Sequence, residues 1–205
     1  APFTSHDDFL ACFELNSGLD GAPELPGTWS TVAEYLRMFD GKAAVNIAYI
    51  IGNSPLRISA VGWDERPANE AERANMRAML REGMEEGAFG LSTGLDYPPG
   101  SYSDTAELVE LASEAARLGG IYHTHLRNTL GDQFLDPVKE ALEIGQRAEI
   151  PCHLTHFYQK LTHSGSARRL LELVDSAVAQ SQDVTMDCFP YSYSSTRLLI
   201  LISAW

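Results

Sequence analysis

The chain has 205 residues, 44% of them hydrophobic, and a formal net charge of -13. That length and apolar content suit one globular domain, or a large part of one, and disfavour a disordered chain. The acidic balance, with a pI near 4.8, argues against nucleic acid or an anionic membrane surface as partner, because the summed field repels phosphate.

Cys12, Cys152 and Cys188 are scattered and form no CxxC pair, so neither a disulfide framework nor a zinc knuckle is expected, and a reducing cytoplasm is the natural setting. No run of about 18 apolar residues is present, and the opening Ala1-Pro2-Phe3-Thr4-Ser5-His6 lacks a charged start followed by an apolar stretch, so the chain reads as neither exported nor membrane-spanning.

Residues 1–42 are rich in turn formers (Gly18, Gly21, Pro23, Pro26, Gly27) and read as a connection, with a short helical run from Val32 to Met38. From about residue 43, β-rich runs alternate with helical patterns, the signature of a parallel sheet built from βα units. The predicted strands are 43–52, 89–94, 121–127, 151–157 and 183–190. Between them, Asn69 caps a helix carrying Met76, Met79, Leu80 and Met84. Asp104 caps the next, with Glu107 placed for a capping box. Asp136-Pro137 starts a third with Pro at N1, and a fourth runs from about Ala167 to Ala179. Either an open doubly wound sheet or a (β/α)8 barrel fits this alternation. The absence of GxGxxG and GxxxxGK[ST] removes support from nucleotide-binding versions.

The chemistry-bearing residues fall at strand ends. Residues two apart on a strand share a face, so His123, His125 and Arg127 of YHTHLR are expected together, whereas His153 and His156, three apart, are expected on opposite faces. His125 and His156 sit near the carboxyl ends of neighbouring strands, where parallel α/β folds gather ligands. Two imidazoles placed so can converge on one metal ion. Equally, each can be an ordinary core or surface histidine. The polar run after Asp187, from Ser192 to Arg197, suits a polar substrate or simply a turn.

Four segments in this order, GAFGLSTGLDYPPGSYS (87–103), YHTHLRN (122–128), PCHLTHF (151–157) and DCFPYSYSSTRL (187–198), resemble the D-aminoacylase, or N-acyl-D-amino-acid deacylase, branch of the amidohydrolase superfamily. The resemblance implies an α/β fold, a partial (β/α)8 TIM-type barrel of about five βα units, the family's third to seventh strands. It also implies a metal-dependent hydrolase, usually with zinc as one or two ions. By that likeness His125 and His156 are metal ligands. Residues 1–205 would then be an incomplete barrel domain, expected to be inactive alone, because the family's His-x-His pair, metal-binding cysteine and catalytic aspartate are expected outside it.

Departures bear on the substrate. Tyr158 stands where relatives place a lysine near the substrate carboxylate, Phe189 replaces the first tyrosine of Tyr-Pro-Tyr, and Asn53 stands where many have histidine. Ser195 matches a family serine near that carboxylate, and Arg197 can supply the lost positive charge. With Arg127 these are the substrate-binding candidates: Tyr158, Ser195, Arg197 and Arg127. The expected reaction is hydrolysis of a linear amide such as an N-acyl-D-amino acid. The alternatives are opening of a cyclic amide, or a non-catalytic barrel piece acting as an interaction module. In either case the open sheet edges call for the remainder of the barrel or for self-association.

Overall fold

Strand and helix alternate from Ile51 onward. The computed structural model describes residues 1–21, 24, 29–127, 133–158, 167–193 and 195–196. These contain α1 (His6–Asp20), α2 (Val32–Arg37), β1 (Ile51–Gly52), α3 (Asn53–Ala60), α4 (Glu70–Glu85), β2 (Gly90–Gly94), α5 (Thr105–Arg117), β3 (Ile121–His125), α6 (Asp136–Ala148), β4 (Cys152–Leu154), α7 (Ala167–Ala179) and β5 (Val184–Met186). The strands form one parallel sheet in the order β1-β2-β3-β4-β5. A doubly wound sheet reverses its strand order at a switch point, whereas a (β/α)8 barrel keeps sequence order. The arrangement is therefore that of a partial TIM-type barrel.

Register determines which side chains share a face. Leu91, Tyr122, Cys152 and Val184 are aligned across the sheet, as are Thr93 and Thr124, Thr124 and Leu154, and Leu154 and Met186. On this side Leu91, Tyr122, Thr124 and Leu154 are fully buried with Leu108, Leu111, Val138, Ile144 and Val174 of the helices. Thr93 Oγ1 donates to Thr124 Oγ1 at 2.7 Å and lies 3.1 Å from the Tyr122 hydroxyl, so the hydroxyls inside this core satisfy one another. The opposite face carries the row Ser92, His123, His153 and Thr185, with Gly94 and His125 one level further on. At the start of β2, a Cβ on Gly90 would lie 2.1 Å from the Ile121 carbonyl oxygen, so only glycine lets the two strands approach there.

Several helix starts follow the expected capping chemistry. Asn69 Oδ1 accepts from the Glu72 amide at 3.0 Å and Glu72 returns a carboxylate to the Asn69 amide at 2.8 Å, a full capping box at α4. At α5 Asp104 accepts from the Glu107 amide, but Glu107 does not reach back as the sequence suggested. Its carboxylate instead binds Arg57 at 2.7 and 2.8 Å, Ser103 Oγ at 2.7 Å and the Ala68 amide at 2.9 Å. Both charged side chains have no exposed surface. This buried pair ties α3 and the loop before α4 to the start of α5.

Three expectations are corrected. Residues 1–42 hold a fifteen-residue helix, α1, where the sequence predicts only turns and a later short helix. Ser5 caps it, and Phe9 and Phe13 pack edge-on to Trp29 with ring centroids 5.1 and 5.7 Å apart; this aromatic cluster outweighs the turn formers that follow. The strand expected over 43–52 is ordered as a ladder only at Ile51–Gly52, because Val45 and Ile47 are 73% and 41% exposed and have no buried face to fill. A helix, α3, follows at once, with Leu56, Arg57 and Ile58 buried. The remaining strands are shorter than the runs read from sequence, and the polar ends of those runs form the site.

Candidate metal centre

His125 is the last residue of β3, and its ring is held from two sides. Its Nε2 lies 2.8 Å from Asp96 Oδ2, and its Nδ1 lies 2.7 Å from Nε2 of His156. Asp96 follows β2 by two residues and is almost wholly buried. With Nε2–H of His125 donating to that carboxylate, Nδ1 is a bare lone pair turned towards His156. The two rings stand edge to face, 4.5 Å between centroids.

His156 reaches this position by leaving strand geometry. β4 stops at Leu154, and His156 has φ +40, a left-handed backbone in which the alternation of faces no longer applies. Hence His153 and His156 both address the histidine-bearing face, against the opposite facing expected from their spacing: His153 stacks on His123 at 4.9 Å while His156 meets His125. Asp187, just after β5, holds the turn. Its Oδ1 accepts from the His156 amide at 2.5 Å, and its Oδ2 contacts Thr155 Oγ1 at 3.1 Å and His153 Nε2 at 2.9 Å. The hydrogen bond from His153 is the main reason the Asp187 carboxyl is held below the usual carboxylate range, followed after desolvation by those from the His156 amide and Thr155. Burial, and then the neighbouring His125, lower the His156 imidazole below its ordinary 6.5. It is thus neutral near pH 7, the form that ligates metals.

This donor set fits a divalent ion of the zinc type. Two imidazole nitrogens already 2.7 Å apart need open only to roughly 3.3 Å to bind one tetrahedral ion at about 2.0 Å each. The Asp96 carboxylate stands on the far nitrogen of His125, the orienting partner that ligand histidines require. Its Oδ1 is buried with no hydrogen-bond partner among the described residues. Sequence reasoning missed Asp96; the signal was an acid two residues past a strand end, in GLSTGLDYPPG.

A cavity of about 680 Å³ opens over the pair. His125, His156, Asp96, Tyr158, Ser195 and Arg127 all line it, together with Tyr97, Phe134, Phe157, Phe189, Tyr191 and Tyr193. Tyr158 is 5.0 Å from Phe189, which stacks on Tyr191 at 4.7 Å. Arg127 borders the cavity, but its guanidinium donates to Glu140 at 3.0 and 3.2 Å and to the Ser101 and Ser103 carbonyls at 2.7 and 3.0 Å. It therefore turns to α6, away from the face of His123 and His125 on which alternation placed it. Ser195 is exposed beside Thr196, whose Oγ1 meets the Tyr97 hydroxyl at 2.5 Å. Arg197 lies outside the described residues. Asn53 is buried away from the cavity, donating to Ser103 Oγ at 3.3 Å.

No family model matches the chain. Among curated proteins it is 38% identical to an N-acyl-D-aspartate deacylase of Alcaligenes xylosoxydans xylosoxydans, over 87% of this chain and 36% of that protein. It is 36% identical to a D-aminoacylase of the same organism, over 76% of this chain and 32% of that one. It superposes on the crystal structure of N-acyl-D-glutamate deacylase from Bordetella bronchiseptica, complexed with zinc and a phosphonate inhibitor, with a TM-score of 0.75 and 32% identity, covering 82% of this chain and 36% of that chain. The chain thus spans about a third of the length of the curated relatives it matches. Fold and site define the class: a TIM-type α/β sheet with a carboxylate-backed histidine pair at its strand ends, the frame of an amidohydrolase. Within that class the chain belongs to the D-aminoacylase, or N-acyl-D-amino-acid deacylase, branch.

Proposed function

We propose that this chain contributes two zinc ligands, His125 and His156, and one wall of the substrate cavity to an enzyme that hydrolyses a linear amide of the N-acyl-D-amino acid type. The 2.7 Å approach of His125 Nδ1 to His156 Nε2 across adjacent strand ends carries this reading. Bound there, zinc supplies a Lewis acid for the amide carbonyl and a water whose pKa falls towards neutrality. The chain's own residues set the stage for that chemistry. Asp96 fixes the tautomer of His125, Asp187 fixes the backbone that presents His156, and Tyr158 and Ser195 border the space where substrate lies.

The aromatic lining from Tyr97 to Tyr193 favours an apolar acyl group or amino-acid side chain over a second carboxylate. Arg127, its donors spent on Glu140 and two carbonyls, acts as a brace for the cavity wall, and Arg197 is the carboxylate-binding candidate that remains. The outer strands β1 and β5 offer unpaired edges among the described residues, and we assign them to further barrel strands or to a second copy of the chain. No described helix is long and apolar enough to cross a membrane, and the free thiols of Cys152 and Cys188 suit a reducing, cytoplasmic setting.

A panel of N-acetyl-D-, N-acetyl-L- and cyclic amides, offered to the zinc-loaded enzyme to which the chain contributes, tests the reading. Turnover of D-configured linear amides with apolar side chains is the expected result. Turnover confined to cyclic amides, or zinc binding that ignores His125 and His156, overturns it.

A further inference from the structure

A second group of donors lies on the same face, one strand level below the first. His123 and His153 are register partners on β3 and β4 and stack at 4.9 Å with an interplanar angle of 17°. Asp187 follows β5, and a ligating atom from each of these three residues lies within 4.8 Å of the others. His123 precedes His125 by two residues, so the two groups are separated by roughly 7 Å along the strand.

We propose that His123, His153 and Asp187 form a second divalent-metal site, separate from the His125–His156 pair. The hydrogen bonds around His153 support it. Its Nδ1 lies 2.7 Å from Thr185 Oγ1, its partner in the β4–β5 register, and its Nε2 lies 2.9 Å from Asp187 Oδ2. A divalent ion that displaces the Nε2 proton would lie between this nitrogen and the Asp187 carboxylate, with Thr185 accepting the proton then held on Nδ1. Thr185 then acts as the partner that aims a ligand histidine. Two imidazoles and a carboxylate select zinc or another first-row divalent ion, whereas calcium and magnesium take oxygen-rich sets. With three protein ligands, a coordination position stays open to solvent, since Asp187 is half exposed.

The site does not depend on the deacylase reading, and one experiment separates the two. The full chain, stripped with chelator and dialysed against Zn2+, is analysed for zinc per chain beside two double variants, His123→Gln/His153→Gln and His125→Gln/His156→Gln. Each variant is expected to bind one zinc fewer than the parent. An unchanged zinc content in His123→Gln/His153→Gln overturns this site and leaves the first untouched; an unchanged content in His125→Gln/His156→Gln does the reverse. Asp187 is left intact in this test because it also holds the His156 turn. Should the first double variant fail to fold by circular dichroism, histidine-ring NMR of the parent chain decides: Zn2+ shifts the His123 and His153 ring signals, while Mg2+ does not. Ring signals unmoved by Zn2+ overturn the proposal.

Discussion

Asp187 Oδ1 accepts a hydrogen bond from the backbone amide of His156 at 2.5 Å, and so a carboxylate on one strand end sets the conformation of a histidine on the next. That contact, with the one to Thr155, keeps His156 at φ +40, where its ring meets His125. Removing the carboxylate by Asp187→Ala frees the turn. Zinc affinity at the His125–His156 pair is expected to fall about 10- to 100-fold, as for other groups that orient a ligand. Asp187→Asn, which keeps an acceptor oxygen, retains more of it. Isothermal titration with Zn2+ measures both.

Asp96 carries a parallel expectation on the other side of the pair. Its buried carboxylate holds His125 in one tautomer. Asp96→Ala therefore lowers zinc affinity by a similar 10- to 100-fold, while circular dichroism of the metal-free chain stays near the parent's. An Asp96→Ala chain with parental zinc affinity means that another group orients His125.

Stability rests heavily on a contact remote from the site. Glu107 neutralises the fully buried Arg57 and accepts from Ser103 and Ala68 besides. Glu107→Ala leaves an unpaired buried guanidinium and is expected to cost about 3–5 kcal/mol of unfolding free energy by urea denaturation. Replacing both partners with apolar residues should recover much of that loss.

Stability of the metal-free chain is also expected to fall on mild acidification. Burial lowers the His123 and His156 imidazoles below their ordinary 6.5 in the folded chain. Below 6.5 the unfolded chain takes up protons that the folded one resists, so unfolding free energy rises with pH through that window. The contribution is complete above 6.5 and is lost as pH drops towards the folded values. His123→Gln should flatten the pH dependence of the denaturation midpoint between neutrality and pH 5.5 or so.

The sequence carried the βα alternation well, because each strand is an apolar run and each later helix has a cap or an apolar stripe: Asn69 and Asp104 cap their helices as expected, and Pro137 stands in the first turn of α6, one residue further in than the expected N1. It also placed His125 and His156 on neighbouring strand ends. Three features were not legible locally. Face alternation failed at His156 because the ladder ends at Leu154 and the next turn is held by Asp187, 31 residues away. Glu107 looked like a capping-box residue because its partner, Arg57, lies 50 residues upstream. Asp96 carried no motif of its own, and its role appears only when β2 and β3 lie side by side with Gly94 opposite His125. Each is a tertiary contact that overrides a local rule.

The most direct measurement is zinc stoichiometry and affinity by titration calorimetry for the parent chain, His125→Ala and His156→Ala. If two imidazoles share one ion, either substitution removes one tight equivalent of zinc. Parental stoichiometry and affinity in both variants contradict the metal centre and, with it, the hydrolase built upon it.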